Sequence, residues 1–296
     1  MVGKYKVITL CGSTRFKDEF LEAQKRLTLE GNIVISVGLF GHSGDKEVWE
    51  NMDEGTITKT KEMLDDMHKR KIDMADEIYV INVDGYIGAS TMSEIEYAKA
   101  AGKTVKYLED PESCYIPAIN LDNAFSTLNR RRKDICKYKE LMYLAGSPDD
   151  PGFQKKYCGF YRVRRDAKWR SEYFHLMASF QNRGDASFGE ILLRLFQATG
   201  RIESSFTSKM LATLAPDMPI WDSKVLKALH LQLKGSTPEL RISNAVILYD
   251  RICHWYKLFL NTEQAVNMIE QFDREFPEFA SFTATKKIDF VLWASQ

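Results

Sequence analysis

Two strand-to-helix corners in this chain carry side chains that could do chemistry. The first runs Asp84-Gly85-Tyr86-Ile87-Gly88-Ala89-Ser90-Thr91-Met92-Ser93-Glu94 and follows the apolar run Ile78-Tyr79-Val80-Ile81. A buried strand, a turn of small residues and a helix start form the usual ligand position in an open α/β sheet, at the carboxyl ends of the strands. Glu94 reads as a residue of the first helical turn, where the helix dipole favours the anion, and as a nucleophile aimed back at a pocket. The same position would also suit a solvated first-turn carboxylate. Glu96 lies about 200° further round a helix and cannot share that pocket. Asp84, just past the strand, is the candidate for holding or protonating a leaving group, with Gly88 and Ser90 as further substrate contacts. His68 reads as a surface helix residue rather than a base.

The second corner is Cys11-Gly12-Ser13-Thr14-Arg15, after the strand Lys6-Val7-Ile8-Thr9-Leu10. Glycine lets a ligand approach the backbone. Free amides, the Ser13 hydroxyl and the fork of Arg15 can hold phosphate oxygens, although a Gly-Ser turn before a helix is also a common cap. It is neither a dinucleotide fingerprint nor a Walker A loop, because the spaced glycines and the Gly-Lys-Ser/Thr are missing.

The elements that must position these residues follow from the pattern. Strands at about 6–11, 32–37, 77–83 and 104–108 alternate with helical segments at about 17–30, within 45–75, and at 95–103. This predicts an α/β first domain, a doubly wound parallel sheet of Rossmann or flavodoxin type, over residues 1–110. The loop Gly38–Gly44 follows the second strand. Residues 111–119, with Pro111 and Pro117, read as a linker. An all-α domain over 120–296 is predicted next, with helices at 122–144, 166–182, 187–199, 203–214, 222–231, 238–260, 262–275 and 282–293.

The 296 residues are 44% hydrophobic and 28% charged, with 41 basic and 41 acidic side chains, so wholesale coating of nucleic acid is not expected. Five cysteines, Cys11, Cys114, Cys136, Cys158 and Cys253, have no short pairing or metal-ligand spacing. Neither metal nor cofactor is expected, and a reduced, cytoplasmic setting is. The N-terminus does not read as a signal peptide, and no apolar run reaches the ~20 residues of a membrane helix.

Cys11-Gly12-Ser13-Thr14-Arg15, Asp76-Glu77 at the start of the third strand, and Ser93-Glu94-Ile95-Glu96-Tyr97-Ala98 with Gly102-Lys103 together resemble the nucleoside 2-deoxyribosyltransferase-like superfamily, over about residues 5–109. The resemblance implies transfer of a base between deoxyriboses, or hydrolysis of the N-glycosidic bond of a deoxynucleoside 5′-monophosphate. It implies that Glu94 is the nucleophile and that Cys11, Gly12, Ser13 and Arg15 lie near a 5′-phosphate. A homodimer is implied as plausible, because related folds complete their pockets with a neighbouring subunit. Ala89 and Met92 depart from the family pattern, which carries Glu and Arg there. Either the substrate differs or activity has been lost.

In the second half, Lys209 on a helix, the connection Ala215-Pro216-Asp217-Met218-Pro219, and Asp222 at the next helix start resemble the helix-hairpin-helix DNA glycosylases of the 8-oxoguanine type. There the resemblance implies a lysine that attacks the sugar and an assisting aspartate; the spacing is short for that family. On its own residues, Asp222 reads as an N-cap. The basic stretch 130–170, with Tyr157, Phe160, Tyr161 and Trp169 interleaved, reads either as a DNA-contacting surface that stacks bases or as a solvated face. His175 and His254 read as core residues of apolar helical faces.

Overall fold

Period-two alternation on two central strands decides the first unit. In the computed structural model, residues 3–40, 45, 48, 52–111, 115–181, 183 and 185–296 are described, apart from the side chains of Glu54 and Asp84. Strands β1 (Val7–Gly12), β2 (Ile33–Ile35), β3 (Glu77–Ile81) and β4 (Thr104–Tyr107) form one parallel sheet in the order β2-β1-β3-β4. Ile8 and Leu10 of β1 and Tyr79 and Ile81 of β3 pack with Phe20, Ala23 and Leu27 of helix α1 (Lys17–Leu29). The alternate residues Cys11, Ile78 and Val80 pack with Ile72 of α2 (Glu54–Met74) and with Ile95 and Ala98 of α3 (Ala89–Ala100). Helices therefore cover both faces of the sheet, and β3 is buried along its whole length. That explains its uninterrupted apolar sequence.

The amino ends of the strands are tied by charge. Glu77, 2% exposed, pairs with Lys6 at 2.6 Å and Lys106 at 3.1 Å. Burial alone would raise its carboxyl, but the two lysines hold it below the ordinary value. Beside it, Asp76 accepts a 2.7 Å hydrogen bond from the Val7 amide. Asp76 and Glu77 thus act structurally, at the end of the sheet away from the two corners. At the other end, buried Asn82 bonds Glu109 through both amide atoms, donating to its carbonyl at 2.7 Å and accepting from its N–H at 2.9 Å.

The chain divides into two compact units, Met1–Ser113 and Cys114–Gln296. The second contains α4 (Leu121–Arg130), α5 (Arg132–Tyr143), α6 (Pro151–Phe160), α7 (Ala167–Gln181), α8 (Phe188–Thr199), α9 (Ser204–Leu214), α10 (Ser223–Ala228), α11 (Pro238–Phe259), α12 (Glu263–Glu275) and α13 (Ala284–Ala294). No strand occurs there among the described residues. The single helix expected over 122–144 is broken at Arg131, and α6 lies where no helix was expected. Asp150 caps α6, accepting from the Phe153 amide at 2.7 Å, with Pro151 in its first turn.

Aromatic side chains fill the core of this unit. Tyr157 and Tyr173 share a 2.6 Å hydroxyl–hydroxyl hydrogen bond, and Tyr173 donates to the Phe206 carbonyl at 2.7 Å. Tyr157 and Trp169, read as possible base-stacking residues, are instead buried core. His175 corrects in the opposite direction: α7 buries Tyr173, Phe174 and Met177, and His175 projects exposed between those positions. His254 is partly buried. No helix among the described residues is long and apolar enough to cross a membrane. Cys114, loop residues 41–44 and linker residues 112–113 lie outside the described residues.

Candidate functional site

Glu94 lies in the second turn of α3, not the first. Gly88 is the N-cap and Ala89 the first helical residue, which makes Glu94 the sixth. The helix therefore starts earlier than its polar opening residues suggested, and the dipole argument for Glu94 falls away, because that effect fades beyond the first turn. Burial takes its place. The Glu94 side chain is 14% exposed and the His68 side chain 8% exposed, with Nε2 of His68 3.7 Å from Oε1 of Glu94. Cys11, fully buried on β1, completes the group: its Sγ, a His68 ring nitrogen and a Glu94 carboxylate oxygen all lie within 4.8 Å of one another.

Three elements converge to make this cluster. Cys11 occupies the last inward position of β1 on the α2–α3 face, opposite Val80 of β3. His68 shares a face of α2 with Ile72, one turn on, which is fully buried against the sheet. His68 is therefore no surface residue. The exposed methionines of α2, Met63, Met67 and Met74, mark the opposite face.

Burial dominates the electrostatics. It pushes the Glu94 carboxyl up to about 7, with Asp65 adding to the shift. The Cys11 thiol, turned toward the carboxylate as a weak donor, and the ammonium groups of Lys69 and Lys71 pull the other way. Burial and Lys71 push His68 down to about 4, against a hydrogen bond to the Leu10 backbone, so its imidazole is neutral. The Cys11 thiol is held well above its usual range by burial and by Glu94. His68 Nε2 and Glu94 Oε2 are both buried and have no hydrogen-bond partner among the described residues. Two buried polar atoms with no partner among the described residues mark a position where a bound group could be held.

The Gly12–Arg15 corner adjoins Cys11. Gly12 has φ +154, and a Cβ there would come within 2.9 Å of the Ile81 carbonyl and 3.2 Å of the Phe20 ring. Its glycine is thus required by contact with β3 and α1, whatever it offers a ligand. The Ser13 carbonyl accepts from the Phe16 amide at 3.0 Å, and α1 begins without a side-chain cap. Arg15 Nε is buried without a partner. Phe16 and Tyr86 meet edge to face, 5.9 Å between centroids, joining this corner to the one after β3. Of the other expected contacts, Cys11 faces Glu94 rather than a phosphate position, Ser90 is exposed, and Gly88 serves as the N-cap of α3. The side chain of Asp84 lies outside the described residues; its backbone forms part of a 3-10 turn, Val83–Gly85.

In the second unit, Lys209 and Asp222 line one cavity of about 480 Å³ together with Arg131, Lys224, Lys286 and Trp293. Asp222 caps α10 by accepting from the Lys224 amide at 2.9 Å. Lys209 Nζ lies 5.0 Å from the Phe206 ring centre and 5.4 Å from that of Tyr161. Burial lowers its ammonium, and Asp222 partly offsets this. Five basic side chains of the stretch are ion-paired: Arg131 and Lys137 with Asp134, Arg132 forked onto Glu278, Lys156 with Glu140 at 2.5 Å, and Arg165 with Glu203 at 2.8 Å. The other eight have no ion pair among the described residues.

No protein-family model matches the chain, and neither a curated protein nor a solved structure matches it.

Proposed function

We propose that the first unit is a doubly wound, flavodoxin-like domain that breaks the N-glycosidic bond of a 2′-deoxynucleoside or its 5′-monophosphate, releasing the base to water or passing the sugar to a second base. One observation carries this reading: the Glu94 carboxyl group is buried beside the carboxyl end of β1, with one oxygen unpartnered. The ionised carboxylate attacks C1′, the C1′–N bond breaks, and its electron pair leaves with the base, which takes up a proton. The resulting glycosyl ester is opened by water or by a second base, the two-step logic of retaining glycoside cleavage. The uncapped start of α1 and the unpartnered Arg15 Nε suit the 5′-phosphate.

Ala89 and Met92 are both exposed. The departure from the family pattern therefore falls outside the buried cluster, which favours altered substrate contacts over a dismantled nucleophile. Incubation with a panel of deoxynucleosides and their monophosphates, with chromatography of free base, tests the reading. Release by the wild type and none by Glu94→Gln supports it; release by both removes Glu94 as nucleophile.

A second reading, that the helical unit processes DNA, is favoured by the shared cavity of Lys209 and Asp222. Burial lowers the Lys209 amine toward its nucleophilic form. Attack on C1′ with loss of the base would give an imine that borohydride reduces to a stable protein–DNA adduct. Adduct formed by the wild type but not by Lys209→Gln supports this reading, and no adduct from duplexes carrying damaged bases counts against it.

A further inference from the structure

We infer that Cys11, His68 and Glu94 form a three-ligand site for a divalent cation of the zinc class, and that loading it switches off the Glu94 carboxylate. The metal site is argued from the geometry of the three side chains, and its effect on catalysis rests on the proposed glycosidase reading. Thiolate, imidazole and carboxylate are the three ligand types zinc prefers. Around a tetrahedral ion with bonds of about 2.0–2.3 Å, ligand atoms sit roughly 3.3–3.8 Å apart. His68 Nε2 and Glu94 Oε1 are already 3.7 Å apart, and all three ligand atoms lie within 4.8 Å of one another. Closing the set to that spacing takes shifts of up to about 1 Å.

His68 is also open to this role, with the Leu10 backbone beside its ring in the position of an outer-shell partner. The imidazole is neutral, and its Nε2 is buried with no partner. Glu94 Oε2 is likewise unpartnered. On binding, the Cys11 S–H bond breaks, a sulfur–metal bond forms and one proton passes to solvent; any proton on Glu94 leaves in the same way. The two anions neutralise the ion's charge, and Asp65 offsets one of the two nearby ammonium groups, Lys69 and Lys71, the latter bonded to the Ser36 carbonyl at 3.0 Å. The fourth position is left to water. With its electron pair committed to the metal, Glu94 cannot attack a sugar carbon.

The test uses the full chain. Zinc uptake is measured by competition with a chromophoric chelator, and cobalt is used as a spectroscopic substitute. One zinc per chain is expected, with a thiolate-to-cobalt charge-transfer band. Cys11→Ser and His68→Gln should each weaken binding by more than about 100-fold, beyond what loss of an outer-shell partner does. Thermal melts establish that the variants fold, and Glu94→Gln gives a third, independent removal of a ligand. Uptake that all three variants leave unchanged, or a cobalt complex without the thiolate band, overturns the site. In parallel, base release should fall as zinc is added and return with a chelator. A chain that releases base but takes up no zinc overturns the metal site alone. One that takes up zinc through these residues but releases no base overturns only the glycosidase.

Discussion

His68 and Glu94 face each other across 3.7 Å with both side chains shielded from water, the imidazole neutral and the carboxyl group biased toward its protonated form. Two groups that would be oppositely charged in water near pH 6 are thus held as an uncharged pair. Most of the chemistry argued for the first unit follows from that arrangement.

Replacing Glu94 by Gln keeps the shape and removes the proposed nucleophile. On the proposed mechanism, release of free base from a deoxynucleotide should drop by at least about a thousandfold, with little change in KM, because the group would act on the reacting carbon rather than in binding. Steady-state kinetics on the substrate found in the panel would show it. A drop confined to KM would contradict the assignment.

On the proposed mechanism only the ionised Glu94 attacks, so the rate of base release, measured in the presence of a chelator, should rise with pH with a midpoint near 7, where its carboxyl is pushed, and level off about one unit higher. Cys11→Ala removes a donor that favours the anion. The midpoint should therefore move to higher pH, by up to about one unit. A shift to lower pH would mean that the thiol does not serve the carboxylate.

Stability should carry the same signature. The folded Glu94 carboxyl keeps its proton up to about 7, whereas in an exposed chain it ionises near 4.5; its stabilising contribution is present below 4.5 and is lost as pH rises through 7. His68 runs the other way: its contribution is present above 6.5 and is lost as pH falls through about 4. Between 4.5 and 6.5 each state binds one proton on this pair, and the two slopes cancel. Denaturant melts at several pH values should show the stability difference between wild type and Glu94→Gln moving in favour of wild type by roughly 3 kcal/mol from pH 7 to 4.5. A flat difference would mean that the carboxyl is solvated.

Gly12→Ala places a methyl group 2.9 Å from the Ile81 carbonyl and 3.0 Å from the Ile81 Cβ, neither of which can move without disturbing the sheet. A loss of about 1–3 kcal/mol is expected from such overpacking, read as a lower denaturation midpoint at unchanged slope. Stability within experimental error of wild type would show that β3 gives way.

Much of the first unit was legible because its signals are local. The unbroken apolar run of β3, the glycines at 12, 31 and 102, and the alternation on β1 each announce an element through backbone freedom or burial. Glu94 is singled out by its place after a strand, but the first-turn dipole argument does not hold, since it lies in the second turn and burial governs its carboxyl. His68 reads as a surface residue because the polar run around it, Asp65, Asp66, Lys69, Arg70 and Lys71, hides the buried face it shares with Leu64 and Ile72. The spacing from His68 to Ile72 and on to Ala75, all buried, was the signal that could have found it. The break at Arg131 carries no glycine or proline to mark it. Helix α6 hides because Gly152, Gly159 and two lysines obscure its one buried stripe, Phe153 and Tyr157. Long-range burial, which chain order does not display, decided each of these.

The grip of Lys6 and Lys106 on Glu77 fastens three neighbouring strands at the rim of the sheet farthest from Glu94. Alignment of the β-ladder is therefore secured by residues remote from Glu94. Ala89 and Met92, exposed at the start of α3, take no part in that clamp. Substitutions there can therefore alter surface chemistry without loosening the pairing of the strands.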